Sequence, residues 1–319
     1  MTPGSGDLAA AREPVGQRIA LIVIGLGLVG AALGGGWFVA DARLGISAGA
    51  GLGGVVLVLA AAVLLIVGLL LVVGGLGYYV FAPAFAGLAA ARRDVGSHRL
   101  VVAATLLIVL LANIGPLIYT AVFGVGGICS VSGFTTAALS VDVALVGVAY
   151  LRFIRPGLLT AADLGLDPSR LRKNVLLGLG VGVAVLVASA SIQAAMKALG
   201  VEQTQLVDLQ CIRDFPLAGF LVVAFAGGVL APIAEELYFR GFVFRSYLQT
   251  KSPAVAYIAT SLLFSMLHLN LPALLPILVM SLIFCFAYRR TGSIVPSVVG
   301  HGLNNTAAFA ILYFTNAPV

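Results

Sequence analysis

Residues 55–73 read VVLVLAAAVLLIVGLLLVV, nineteen positions without a single charged side chain. A helix of about 20 such residues spans the roughly 30 Å hydrocarbon core of a bilayer. The apolar positions are continuous rather than alternating, so the run does not read as a strand of a membrane barrel. In hydrocarbon each backbone N–H and C=O must be paired within the segment, which a helix achieves. The run extends to residues 48–80, too long for one simple span, and Gly74, Gly75 and Gly77 interrupt it. These glycines predict a bend into an interfacial segment that reaches Ala91.

Moving outward, further apolar runs fall near 19–40, 100–123, 134–153, 174–196, 216–237, 254–268, 272–288 and 294–315. The chain of 319 residues is 61% hydrophobic and 9% charged, with a mean hydropathy of +1.12, which excludes an ordinary soluble globule. The predicted fold is all-α, a polytopic membrane bundle of about eight or nine transmembrane helices. The polar start runs into an apolar stretch of about 20 residues, longer than a signal-peptide core of about 7–15, and reads as the first span.

The basic residues set an orientation. With the N-terminus inside, the cytoplasmic side takes 15 of the 18 Lys and Arg, leaving Arg43, Lys197 and Arg213 outside, where Glu202, Asp208 and Asp214 also fall. An odd number of spans then puts the C-terminus outside. The net charge of +6 is thus a matter of topology, because the cations flank spans rather than form a stripe for nucleic acid. Cys129 and Cys211 both fall in predicted outer loops, where an oxidising compartment permits a disulfide. Cys285, within a span, reads as a small apolar packer.

Two parts are expected: about five transmembrane helices with basic cytoplasmic loops in residues 1–199, and a chemically distinct helical core in 200–319. The first part is rich in Gly and Ala, and the pairs Gly30 with Gly34 and Gly178 with Gly182 allow close helix approach. Its scattered GxG pieces follow no strand and give no dinucleotide site. Asp142 lies inside a span; it is expected near the outer end of its helix, reaching interfacial water or a hydroxyl, in a structural role. His98, in a basic loop, is expected to be solvated.

The second part carries ionisable residues within apolar helices. Glu235 and Glu236 occur in APIAEELYFRG with Arg240 following, Phe264 and His268 in FSMLH, and His301 and Asn305 in HGLNN. Each spacing of four places two side chains on one helix face, so three helices can aim a carboxylate and two imidazoles at one point. Glu236 and Arg240 can neutralise each other, with Glu235 pointing elsewhere. A carboxylate with a His can take a proton from water, and a second His with an amide can donate to an oxyanion. No Ser or Cys has a base partner in the sequence, which favours activated water over a covalent nucleophile; Ser265 and Ser297 read as packing or helix hydroxyls.

The three motifs, EExxxR, FxxxH and HxxxN in that order, resemble those of the CPBP or Abi group of intramembrane proteases, which includes the type II CAAX prenyl endopeptidases. The resemblance covers about residues 215–315. It implies that Glu235 and His268 activate water, that His301 and Asn305 form the oxyanion hole, and that Glu236, Arg240 and Phe264 support the site, in a cavity open to the cytosol. Asn304, beside Asn305, is the alternative amide. Two His and two Glu are also a donor set for zinc, but no HExxH is present and the resemblance implies a metal-free glutamate mechanism, so no cofactor is expected. The implied partners are the lipid bilayer and a peptide or protein substrate, with or without a lipid anchor, presented at the cytoplasmic side. Arg outnumbers Lys by 15 to 3, which with the Ala, Gly, Val and Leu content suggests a bacterial inner or plasma membrane. The rival is a non-enzymatic protein of the same fold in an immunity or scaffold role. Counting along the helices places His268 deeper than Glu235 and His301, unless the helix after Pro253 starts outside the hydrocarbon or the turn near Asn270 and Pro272 re-enters.

Overall fold

The computed structural model describes residues 15–46, 51–92, 95–124, 129–201, 209–268 and 270–315. Among these residues the secondary structure is helical throughout. Seven helices among the described residues are long and apolar enough to cross a membrane: Val15–Leu44, Gly51–Phe85, His98–Phe123, Val131–Ile154, Pro168–Ala198, Leu217–Thr250 and Leu274–Thr291. The two remaining apolar runs form the shorter helix Pro253–Met266 and the helix Val295–Phe314. The chain is a polytopic helical membrane bundle. It divides into two compact units, Met1–Pro83 and Ala84–Val319.

In the first unit, α1 (Val15–Leu44) and α2 (Gly51–Phe85) pack through small residues. A Cβ at Gly34 would come within 2.5 Å of the Ala61 carbonyl, so the expected close-approach role of the Gly30 and Gly34 pair holds. The expected bend at Gly74, Gly75 and Gly77 does not occur: α2 runs unbroken to Phe85. Gly75 instead admits α1, since a Cβ there would lie 2.7 Å from Cγ1 of Ile24. The chain turns at Gly87, whose φ of 106° disfavours any side chain, and then forms the short α3 (Leu88–Arg92).

The second unit carries everything that positions the ionisable residues. Ser97 caps α4 (His98–Ala112) by accepting from the Leu100 amide, and Asn113 leads into α5 (Ile114–Phe123). His98 is exposed at the first turn of α4, but it is not merely solvated: its Nδ1 lies 2.8 Å from the Tyr247 hydroxyl. Ser130 caps α6 (Val131–Ala149), which continues through a π turn, Tyr150–Ile154. α7 (Leu171–Ala198) packs against α13 (Val295–Phe314) across Gly178 and Gly182, where a Cβ would meet Val299 and Leu303 within 2.7 Å. α8 (Leu217–Phe225) passes through a π segment, Ala226–Leu230, into α9 (Ala231–Glu236), then through a second, Leu237–Phe244, into α10 (Arg245–Thr250).

One end of this unit is stitched shut. Cys129 and Cys211 form the expected disulfide, tying the approach to α6 to the 3₁₀ turn Gln210–Asp214 before α8. Beside it, Ile212, Phe215, Phe220, Val223, Phe309 and Leu312 form an apolar cluster, and the Tyr313 hydroxyl donates to the Phe215 carbonyl. The start of α6, the start of α8 and the end of α13 are thereby fixed together.

α11 (Pro253–Met266) and α12 (Leu274–Thr291) form a hairpin. α11 has 14 residues, about 21 Å, against the roughly 30 Å of the hydrocarbon core. The turn after it, which contains His268, therefore falls short of the far surface. Asn270 Oδ1 steadies this turn by accepting from the Ala273 amide at 3.0 Å.

Not every counted cation is a loop residue. Arg152 and Arg240 are fully buried inside the helices, so they leave the tally of loop charges. Arg12, Arg93, Glu202 and Asp208 lie outside the described residues. At the opposite end to the disulfide, Arg245 clamps the connection between α6 and α7, its Nη2 donating to Asp163 Oδ1 at 2.6 Å. The Thr160 hydroxyl, then the Thr160 amide, then Arg245 hold the Asp163 carboxyl at about 2. A carboxyl depressed in the folded state stabilises above its unfolded value near 3.8 and loses that contribution as pH falls through about 2. Acidification from about pH 4 to pH 2 is thus expected to release this connection, read as faster protease nicking within residues 155–167, and Asp163→Asn is expected to abolish that pH step.

Candidate active site

α9 is short, with Pro232 in its first turn, and its last two residues are Glu235 and Glu236. Glu236 is wholly buried and would be costly there as an isolated charge. Its Oε1 accepts from Arg240 Nη1 at 2.8 Å, one turn further on, where the helix has widened to π geometry. The guanidinium is satisfied in turn from α12: Nη2 donates to the Ser281 hydroxyl at 2.8 Å and to the Ser281 carbonyl at 3.2 Å. Phe264 and Phe284 lie against the guanidinium carbon, with ring centroids at 4.7 and 5.1 Å. Ser281 and Phe284 are three residues apart on one face of α12. Neither signals its role in the sequence, because an apolar helix with one serine and two phenylalanines is ordinary packing.

His301, on α13, stands between the two glutamates. Its Nδ1 is 3.1 Å from Glu236 Oε1 and its Nε2 is 3.8 Å from Glu235 Oε2. The two consecutive carboxylates address the two nitrogens of one ring. A carboxylate already bound to arginine accepts, so Nδ1 of His301 carries the proton. Nε2 then faces Glu235 as a bare acceptor in the neutral ring, and becomes an N–H donor only in the imidazolium. The ring is buried and held by Phe284, stacked at 5.2 Å, and Phe264, edge-on at 5.8 Å.

His268 reaches the same neighbourhood from the turn after α11. Its Nδ1 is 3.0 Å from the Phe264 carbonyl, an acceptor only, so the proton is on Nδ1 and the lone pair on Nε2 is free. The Phe264 ring separates the two imidazoles, at 5.2 Å from His268 and 5.8 Å from His301. That position explains the FxxxH spacing: the backbone carbonyl of the phenylalanine sets the tautomer of the histidine one turn later, and its ring spaces the basic groups. Among the described residues His268 makes no hydrogen bond to Glu235, and the imidazole beside that carboxylate is His301.

Asn305 is turned toward α8. Its Nδ2 donates to the Gly227 carbonyl at 3.0 Å, a backbone group of the first π segment, and Asn304 Nδ2 donates to Asn305 Oδ1 at 3.3 Å. The approach is close because both partners lack a side chain there; a Cβ at Gly302 would sit 2.7 Å from the Gly228 carbonyl. Ser265 and Ser297 donate to the Leu262 and Ile294 carbonyls of their own helices, and Cys285 is buried and free. No group of three or more His, Cys, Asp or Glu among the described residues is arranged to hold a metal ion.

Asp142 is the residue whose placement differs most from expectation. It is not near an outer helix end facing water but midway along the Val131–Ile154 helix, buried, on the element that packs against α9.

Residues 217–307, from the first turn of α8 to midway along α13, match the family described as Type II CAAX prenyl endopeptidase Rce1-like. This match bears out the resemblance carried by the three motifs. The UPF0177 protein YxdF of Lactococcus lactis subsp. lactis strain IL1403 is 33% identical over 79 residues, which are 24% of this chain and 43% of that protein. The aligned region thus spans less than half the length of that relative. No solved structure matches the chain.

Proposed function

We propose that the chain is an intramembrane endopeptidase that hydrolyses a peptide bond of a peptide or membrane-associated protein by activating water at Glu235. The observation that carries this reading is the arrangement around His301. Glu236, neutralised by Arg240, holds one ring nitrogen, which leaves the other directed at the partly exposed Glu235. A buried ion pair that orients an imidazole against a second, more accessible carboxylate is a pre-set acid and base pair rather than packing glue.

In this reading water enters beside Glu235, gives it a proton and attacks the scissile carbonyl carbon. The carbonyl oxygen takes the negative charge, and the proton passes to the nitrogen as the C–N bond breaks. His268, with its free Nε2, assists proton removal. His301 takes a second proton on Nε2 and donates it as a hydrogen bond to the oxyanion. Asn305 joins as an oxyanion donor on leaving the Gly227 carbonyl for the substrate; otherwise it serves to hold α13 against α8. Residues 200–319 supply the named catalytic groups. The basic residues and the disulfide accord with an N-in, C-out placement in a bacterial inner or plasma membrane, with the substrate reached from the cytoplasmic side.

The mechanism needs no metal, because Glu236 and Nδ1 of His301 are engaged with each other and with Arg240. The test is hydrolysis of a quenched fluorescent peptide library, with and without a lipid anchor, by the detergent-purified chain in the presence and absence of a chelator. Cleavage that the chelator leaves unchanged is the expected result. Cleavage lost on chelation and restored by zinc would move the site to metal chemistry. A library on which wild type and Glu235→Ala behave alike would favour the non-enzymatic immunity or scaffold role.

A further inference from the structure

Asp142 is 7% exposed, and neither of its carboxyl oxygens has a hydrogen-bond partner among the described residues. α6 packs directly on α9, and the Asp142 carboxyl lies within electrostatic reach of Glu235. Oε2 of Glu235 is likewise buried and without a hydrogen bond. The two cations inside the neighbouring elements are engaged elsewhere: Arg152 Nη2 donates to the Ala91 carbonyl at 3.0 Å, and Arg240 binds Glu236 and Ser281. The buried Tyr238 hydroxyl pairs with Thr105 at 3.0 Å.

A carboxylate buried without a counter-charge costs several kcal/mol, and such a group takes up a proton instead. Glu235 is the more exposed member of the two and faces His301. A protonated carboxyl gains a donor, and of the two acceptors on the adjoining helix without a hydrogen bond, Glu235 Oε2 and Glu236 Oε2, the one within electrostatic reach of Asp142 belongs to Glu235. The geometry points to Asp142 as a third carboxyl of the site, held protonated, whose O–H donates to Glu235 directly or through one water and so orients that carboxylate. Asp142 is then a positioning residue, and the assignment rests on the reading of Glu235 as the base. No bond of the substrate is made or broken at Asp142, and its proton stays with it through turnover.

The assignment separates from simple packing because leucine and asparagine fill nearly the same space as aspartate but only asparagine keeps a donor. Infrared spectroscopy of the purified full chain is expected to show a carboxylic C=O band that is absent in Asp142→Asn and displaced in Glu235→Gln. On the peptide selected from the library, Asp142→Leu is expected to lower kcat about tenfold at unchanged KM, the loss of one hydrogen bond to a charged group, while Asp142→Asn stays within about threefold of wild type. The absence of a band assignable to Asp142, a band that Glu235→Gln leaves in place, or a leucine variant as active as wild type would each overturn the proposal. The infrared arm requires no turnover and no leucine variant, so it decides the matter even if no library peptide is cleaved or Asp142→Leu fails to fold.

Discussion

Glu235→Ala is expected to lower kcat/KM for the cleaved peptide by about 10²–10⁴-fold, with Glu235→Gln nearly as damaging. The glutamine comparison matters because it preserves size and hydrogen bonding but cannot take a proton from water. A residue that merely packed against His301 would tolerate glutamine. Glu236→Gln tests the other carboxylate and fails differently: the charge that neutralises the buried Arg240 is lost, so stability falls together with turnover. The discriminating measurement is therefore kcat/KM beside the melting temperature for each variant. A Glu235→Gln protein that melts like wild type and retains wild-type turnover would remove Glu235 from the chemistry.

The membrane fold was legible because lipid leaves few alternatives: each continuous apolar run had to be a helix. Gly30 with Gly34 and Gly178 with Gly182 were legible for the same reason, since small residues at that spacing have little use except close approach. Gly74, Gly75 and Gly77 were misread because a glycine that admits a neighbouring helix and a glycine that breaks its own look alike in one dimension; Ile24, more than fifty residues earlier, decides between them. In the site, the i to i+4 spacing of Glu236 and Arg240 foretold their ion pair. What lay beyond reach was the rotation imposed by the two π segments. A π turn adds a residue per turn and shifts the face on which everything downstream emerges, and the first π segment supplies the Gly227 carbonyl that claims Asn305. Asp142 was illegible for another reason. Its partner is a residue 93 positions later, and spacing arguments see only neighbours on the same helix.

Arg240→Leu is expected to destabilise the protein by about 3–5 kcal/mol, because it leaves the Glu236 carboxylate buried without a counter-charge. Three features make this position more sensitive than an exposed ion pair. Both side chains are 0% exposed, so water cannot replace the lost partner. The same guanidinium holds α12 through the Ser281 hydroxyl and carbonyl, leaving those groups to find new partners. The Phe264 and Phe284 rings also lose the cation between them. Lysine is not equivalent, because one ammonium cannot reach Glu236 and Ser281 in the fixed fork that guanidinium provides. The double variant Glu236→Gln with Arg240→Met is expected to recover much of the stability while remaining inactive, since it removes the buried charge but no longer orients His301. Thermal unfolding in detergent, read beside peptide hydrolysis, separates these consequences. A single Arg240→Leu protein as stable as wild type would mean that Glu236 is neutralised by His301 or by its own proton, and the arginine would lose its place as the support on which the proposed chemistry stands.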